Sequence, residues 1–248
     1  MPTFEPPHLC PYEFTVVFRH TAGLEVTTML GELHGLVPEL RDCSPMLDSW
    51  LLKGNTKAEA MLYEVFGPTG PTTGAVAVLS EALKPEVDPR IVSMWNGREG
   101  SEGASLQYIG RVAPETSTVL LRAKPGAFAK DWRAVGRLVS KAVATWFPTV
   151  LTIETAGYFD KKVFKDRPGA GWMLYLPRTL AAREVPEAQA LLPVMQNNEK
   201  GKERQIGTII VSVTDAPFSD ENPDHVKIAN AIEVRLVDQD FLPRYADL

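Results

Sequence analysis

The feature that most constrains the fold is a long amphipathic helix pattern that stands between two strand patterns. Apolar side chains recur at helical spacing through residues 128–147, and Pro148 ends the pattern. The stripe consists of Phe128, Trp132, Val135, Leu138, Val139, Ala142, Val143 and Trp146. The flanking segments, Thr118–Ala123 and Thr149–Glu154, both predict strands. A helix with one apolar face between two strands predicts a layer of helix packed on a sheet.

The remainder of the C-terminal half continues this alternation. Trp172–Leu176 and Ile206–Val213 predict strands, whereas Pro186–Leu192 and Glu221–Leu236 predict helices. The resulting order, β-α-β-β-α-β-α, predicts a ferredoxin-like split β-α-β sandwich with one added helix.

The N-terminal half predicts a second α+β arrangement. Its expected elements are a strand at 14–19, helices at 23–41, 45–54, 56–66 and 73–84, and strands at Ile91–Trp95 and Ala104–Ile109. The last two strands flank a polar, glycine-rich loop and predict a hairpin. A linker at 113–117 divides the chain into an acidic subdomain, 1–113, and a ferredoxin-like subdomain, 114–248. We therefore expect mostly antiparallel sheets with helices on one face, in two related or tightly packed halves.

Composition excludes several classes of protein. Hydrophobic residues make up 44% of the chain and charged residues 23%, as in ordinary globular proteins. No apolar run approaches the roughly 18 residues that a bilayer span requires. The start of the chain has no signal-peptide pattern, and two cysteines make no disulfide framework, so we expect a cytoplasmic protein without a membrane partner. A pI of about 5.5 argues against nucleic-acid binding.

The net charge of −5 is unevenly distributed along the chain. Residues 1–113 hold 8 Lys and Arg against 14 Asp and Glu, whereas residues 114–248 hold 18 against 17. An acidic N-terminal half predicts attraction of a basic partner, with plain solubility as the alternative interpretation.

The sequence predicts no catalytic residue, no metal site and no cofactor. The four histidines, His8, His20, His34 and His225, have no metal-ligand spacing, and no G-x-S-x-G elbow occurs. The glycines of the loop 97–103 match no phosphate-binding motif. Both cysteines lack a neighbouring group that would activate the thiol.

One cluster of carboxylates keeps two interpretations open. Asp215, Asp220, Glu221 and Asp224 surround the loop before the last predicted helix. Paired carboxylates can hold magnesium or divide acid and base roles. Acidic residues beside Ser219 equally indicate the N-terminal capping of a helix, which we favour.

The tryptophans predict core packing, with one exception. Trp95 adjoins the loop 96–103, where it either fixes the hairpin or contacts a partner. The segment Ser93–Gly97 (SMWNG) follows a strand with Phe18 and Arg19, a leucine-rich helix and the stretch Pro45–Gly54. With these features, most of the N-terminal half resembles immunity protein 52 (Imm52).

The resemblance to Imm52 implies a function but no contact residues. Members of that family act as cytoplasmic antidotes in bacterial toxin systems, including type VI secretion, against restriction-endonuclease-like toxins. Trp95, Asn96 and Gly97 match the family pattern, and we add Glu99, Glu102 and Trp95 as candidate toxin contacts. The resemblance implies that the partner is a cognate nuclease toxin and that this protein is not an enzyme.

Two alternative functions remain open at this point. The first is a ferredoxin-like regulatory module that binds a small ligand without catalysis, which requires an apolar pocket with converging polar groups. The second is a metal-dependent hydrolase that uses the carboxylates between Asp215 and Asp224. The sequence favours the immunity function over both and predicts no particular oligomeric state.

Overall fold

The computed structural model describes residues 10–20, 24–54, 56, 59–84, 87–128, 130–197 and 201–248. Its strands are β1 (Tyr12–Phe18), β2 (Leu51–Leu52), β3 (Phe66–Gly67), β4 (Gly70–Pro71), β5 (Arg90–Trp95), β6 (Ala104–Gly110), β7 (Ser117–Ala123), β8 (Val150–Thr155), β9 (Met173–Leu176), β10 (Ala190–Asn197) and β11 (Glu203–Val211). Its α-helices are α1 (Val26–His34), α2 (Val37–Cys43), α3 (Thr73–Ala82), α4 (Trp132–Trp146), α5 (Tyr158–Lys161) and α6 (Pro223–Asp238).

Nine of these strands form one sheet in the order β10-β11-β9-β8-β1-β7-β6-β5-β2, while β3 and β4 form a small separate hairpin. Each neighbouring pair of strands is antiparallel. The α+β class and the mostly antiparallel sheet are thus confirmed. The helix α4 joins β7 to β8, and β1 lies between those two strands. The sheet is therefore continuous across the predicted linker at 113–117.

The predicted ferredoxin-like order of the C-terminal half is wrong. Pro186–Leu192 does not form a helix, because its last residues begin β10 and pair with β11 from Ala190 onward. Leu192 also packs close to Gly136 on α4, which ties this edge of the sheet to the helix layer. The split β-α-β unit exists, but its central strand is β1 from the other half of the chain.

Most other predicted elements of the C-terminal half are confirmed. The apolar stripe forms α4, where Asp131 caps the N-terminus and Phe147 ends the helix in a left-handed conformation. Eight of its residues are buried, as the strong one-sided pattern requires. The last predicted helix forms α6, although its N-cap is Asn222 rather than Ser219.

Three predicted helices of the N-terminal half are shorter than expected. The pattern at 23–41 forms two helices, α1 and α2, which meet at Gly35 and Leu36. The segment 45–54 forms a single 3-10 turn and then β2, and the described part of 56–66 forms a 3-10 turn at Glu59–Met61 and the first residue of β3. The helix at 73–84 and the hairpin of β5 and β6 are confirmed.

The helices cover the two faces of the sheet unequally. On the first face, Phe18 stacks on Trp146 of α4 at 5.5 Å between ring centroids, and Tyr108 donates to Glu32 of α1. Strands β8, β9 and β11 are buried on both faces, and α6 with the segment around α5 covers their second face. Among the described residues, helices thus lie on one face only along β1, β7, β6 and β5. Among the described helices, none has the length and apolar character needed to cross a membrane.

Candidate functional site

One face of the sheet along β1, β7, β6 and β5 points away from the helices and is open among the described residues. The strand registers align its side chains in three rows across the four strands. From β1 to β5, the rows are Glu13, Arg122, Ser105 and Trp95; then Thr15, Leu120, Gln107 and Ser93; then Val17, Thr118, Ile109 and Ile91. We call these twelve residues the open sheet face.

Burial alternates along each of these strands. In β1, β6 and β7 the residues that face the helices are buried, whereas those of the open sheet face are half-buried or exposed. Ile91 is 45% exposed, and Val17, Ile109 and Leu120 are half-buried. Partly exposed apolar side chains grouped on one sheet face are typical of a protein-interaction site.

The apolar surface continues beyond the edge of β5. Trp95 donates its indole N–H to the carbonyl oxygen of Ala60 at 3.2 Å, which holds the segment 59–63 beside the sheet. Within that segment Met61, Leu62 and Tyr63 are 53%, 66% and 42% exposed. Three consecutive exposed apolar side chains next to a tryptophan enlarge the candidate interaction surface.

Polar contacts hold the open sheet face in one arrangement. Arg122 donates from Nε to Glu13 Oε1 at 2.7 Å, and Gln107 donates to the Ser93 hydroxyl at 3.1 Å. Both bonds join neighbouring strands, so these side chains are ordered before any partner binds. A pre-ordered surface loses less conformational entropy on association than a mobile one.

The predicted W-N-G positions lie where the open sheet face meets its adjoining loop. The Asn96 side chain is buried and makes four contacts with backbone groups of Met46, Arg98, Glu102 and Ala104. Gly97 has a φ of 71°, in the left-handed region that favours glycine. The Asn96 contacts therefore fix the loop 96–103, and Trp95 lies beside that loop on the open sheet face.

The two acidic candidates for toxin contact lie in the same loop. Glu102 pairs with Arg98 at 3.0 Å, and Glu99 is exposed at the beginning of a 3-10 turn. A shallow cavity of about 390 Å³ separates this loop from the end of β7 and also contains Arg122 and Lys124. The loop thus carries mixed charge rather than an acidic patch.

The acidic excess of residues 1–113 is spread over the molecule. On the open sheet face, Glu13 is the single carboxylate and Arg122 balances it. Elsewhere Asp48 lies beside Arg41, and Asp42 beside Arg137. Recognition at the open sheet face would therefore depend on apolar contact and local charge pairs.

A buried polar cluster lies under the covered part of the sheet, and sequence reasoning missed it. Glu233 on α6 is fully buried and accepts hydrogen bonds from the Tyr158 hydroxyl at 2.6 Å and from the backbone N–H groups of Val163 and Ala170. Lys162 is also buried and donates to the Tyr245 hydroxyl. The sequence around Lys162 contains no signal for this cluster, because only the fold shows that the lysine is buried near Glu233.

Glu154 on β8 borders this cluster and has a perturbed acidity. Burial raises the pKa of Glu154 from its ordinary 4.5 to about 7, while Lys162 opposes the increase and Glu13 and Glu233 add to it. A carboxyl group in this environment is stabilised in its neutral form.

Replacing Glu154 with glutamine is expected to flatten the pH dependence of stability. Because the folded pKa of Glu154 is raised, its stabilising protonation is complete below about pH 4.5 and is lost as the pH rises through about 7. At 1.36 kcal/mol per unit, the wild type should lose about 3 kcal/mol relative to Glu154→Gln over that interval. Urea unfolding of both proteins at pH 5 and pH 8 measures this difference. Parallel stability changes in the two proteins would contradict it.

The carboxylates considered for catalysis or metal binding lie at the beginning of α6 and in the loop before it, where Asp220 and Glu221 border one cavity. Asp220 lies 3.6 Å from the Lys161 ammonium, and the backbone of Asp224 donates to the N-cap Asn222. In the part of the chain that the structure describes, no group of three His, Cys, Asp or Glu side chains could hold a metal ion.

The described histidines make structural contacts, and the two cysteines are not joined in a disulfide. His225 accepts from the backbone of Ser219, His20 lies 3.6 Å from Glu32, and His34 packs on Phe66, whereas His8 lies outside the described residues. Both Cys10 and Cys43 are free thiols, and burial raises the pKa of Cys43 to about 12. A thiol with a raised pKa is a poor nucleophile.

The fold and its surface together define an α+β protein whose sheet is covered by helices on one face and, in the part of the chain that the structure describes, is open over β1, β7, β6 and β5 on the other. No protein-family model matches the chain, and no curated protein matches it by sequence. Among solved structures, it is similar to the Pseudomonas aeruginosa T6SS protein PA0821, with a TM-score of 0.50 and 11% identity. The match covers 90% of this chain and 75% of that chain. At this identity the likeness establishes a shared fold.

Proposed function

We propose that the protein is a non-catalytic immunity protein that binds and neutralises a cognate nuclease toxin by direct contact. The observation that carries this proposal is the open sheet face, a pre-ordered and partly apolar surface of four strands. Such a surface is suited to binding another folded protein.

Two further observations support the same function. The similar fold from Pseudomonas aeruginosa belongs to a T6SS protein, and we extend that association with type VI secretion to this chain. The resemblance of the W-N-G segment to Imm52 supports an antidote within such a system, and the structure gives its three residues a role beside the open sheet face. An antidote has its site of action in the cytoplasm, where it meets an incoming nuclease.

The test is neutralisation of a cognate nuclease toxin, which we expect the adjacent reading frame to encode. We expect the purified protein to form a one-to-one complex with the toxin domain and to abolish its cleavage of DNA. Calorimetry with a catalytically inactive toxin measures the complex, and plasmid degradation by the active toxin measures inhibition. Unchanged cleavage together with no heat of binding would overturn the proposed function.

A further inference from the structure

We infer that the toxin docks flat on the open sheet face, placing an apolar patch over Ile91 and Trp95 and an opposite charge pair over Glu13 and Arg122. The inference rests on the proposed function and specifies its contact surface and the chemistry of its partner. It follows from how apolar and charged residues are distributed over the four strands.

The face has an apolar side and a charged corner. Ile91 and Ile109 are cross-strand neighbours at the β5 side, and Trp95 completes that side where the exposed segment 61–63 adjoins it. Glu13 and Arg122 form their ion pair at the opposite corner, on β1 and β7. A complementary partner must therefore be apolar over one side and carry both signs of charge over the other.

The size of the face indicates a folded domain rather than a peptide. Four strands about 4.8 Å apart and seven residues long project roughly 450 Å². Stable specific interfaces bury about 800 Å² on each partner. The docked domain must therefore extend past β5 onto Met61, Leu62 and Tyr63, which are all exposed.

The charged corner favours a different protein over a second copy of this chain. A central two-fold axis along the strands would place Glu13 over Trp95, and an axis across the strands would place it over Val17. Arg122 would meet Ser105 or Thr118 in the same arrangements. Self-association would thus cover the ion pair with uncharged side chains, which costs desolvation without a compensating charge.

Two surface variants and a matched control test the docking. We expect Ile91→Glu to weaken binding of the inactive toxin domain about 100-fold, since it places a charge on the apolar side of the face, beside Ile109. The control Val234→Glu changes a side chain of similar exposure, 48% against 45%, on α6. It should bind within about threefold of the wild type.

A charge swap examines the other corner without removing its ion pair. The double variant Glu13→Arg with Arg122→Glu keeps an ion pair on β1 and β7 but reverses its direction. Each charge of the variant then faces a charge of the same sign on the partner. We expect at least a tenfold loss of affinity, and the melting temperature of the double variant checks that it is folded, since Glu13 also faces Glu154 across the β1 and β8 pair.

The outcomes separate this inference from the proposed function. If the wild type binds the toxin and both Ile91→Glu and the charge swap bind equally well, the docking surface is wrong and the immunity function stands. If the wild type does not bind the toxin, both proposals fail. If sedimentation shows a wild-type dimer that Ile91→Glu converts to a monomer, a second copy occupies the face and the inference is overturned.

Discussion

Glu233→Ala is expected to lower the free energy of unfolding by about 4 kcal/mol, the largest effect of any substitution considered for this protein. The carboxylate of Glu233 is fully buried and accepts from the Tyr158 hydroxyl and from the N–H groups of Val163 and Ala170. Alanine would leave these donors without that acceptor and would remove a counter-charge from Lys162. Each loss is a desolvation cost that a cavity lined by polar groups only partly relieves.

Glu233→Gln separates the stability lost with the hydrogen bonds from the stability lost with the side-chain volume, because glutamine has nearly the same size as glutamate. One carboxylate oxygen accepts from Tyr158 and Ala170 while the other accepts from Val163, so an amide must direct its NH2 group at a donor. We expect a loss of about 2 kcal/mol, between the wild type and alanine. Urea denaturation measures both, with the exposed Glu203→Ala as a control that should change stability by less than about 0.5 kcal/mol. A loss below 1 kcal/mol for Glu233→Ala would contradict the importance of this cluster.

The cluster also illustrates what a sequence pattern can predict about this molecule. Residues 221–236 show helical spacing, and the helix is present as α6. The spacing places position 233 on the same side of the helix as Ala229 and Leu236, but amphipathic analysis assigns carboxylates to solvent and so does not predict that Glu233 is buried. Its burial depends on Tyr158 and on backbone N–H groups that lie more than sixty residues away in the chain. Local periodicity contains no information about such partners.

The positions of the strands that build the open sheet face were largely predictable from the sequence, whereas the pairing between strands was not. The alternating segments at 14–19, Ile91–Trp95 and Ala104–Ile109 all form strands within one or two residues of the predicted bounds. Which strands pair depends on long-range topology, and β1 inserts between β7 and β8. The division at 113–117 followed a change in composition, which does not reveal that one sheet uses strands from both sides.

The incorrect helix at Pro186–Leu192 has a related cause. Seven residues are too few to distinguish a helical turn from a short strand by periodicity alone. The segment becomes a strand because Ala190 and the residues after it pair with β11. Pro193 is tolerated there because β10 is the edge strand, where a missing N–H need not break an internal ladder.

The W-N-G positions lead to a second large expected effect. Asn96→Ala should destabilise the protein by about 3 kcal/mol, because it removes four hydrogen bonds from one buried side chain. Two of these are amide donations to the carbonyl oxygens of Met46 and Glu102, and two are acceptances from backbone N–H groups of Arg98 and Ala104. For a chain of this length the melting temperature should fall by roughly 6–12 °C.

Hydrogen exchange distinguishes a local effect on the loop from a global one. In Asn96→Ala the amides of the loop 96–103 should exchange much faster than in the wild type. The amides in the centre of β1 should remain the slowest to exchange, because they exchange only on global unfolding. Asn96→Asp is the sharper variant, since it keeps the acceptor for Ala104 but places an oxygen against two carbonyl oxygens. It should destabilise nearly as much as alanine, whereas Asn197→Ala at an exposed strand end should have little effect. Full stability in Asn96→Asp would mean that the amide donors do not hold this loop, and the position of Trp95 on the open sheet face would then need another cause.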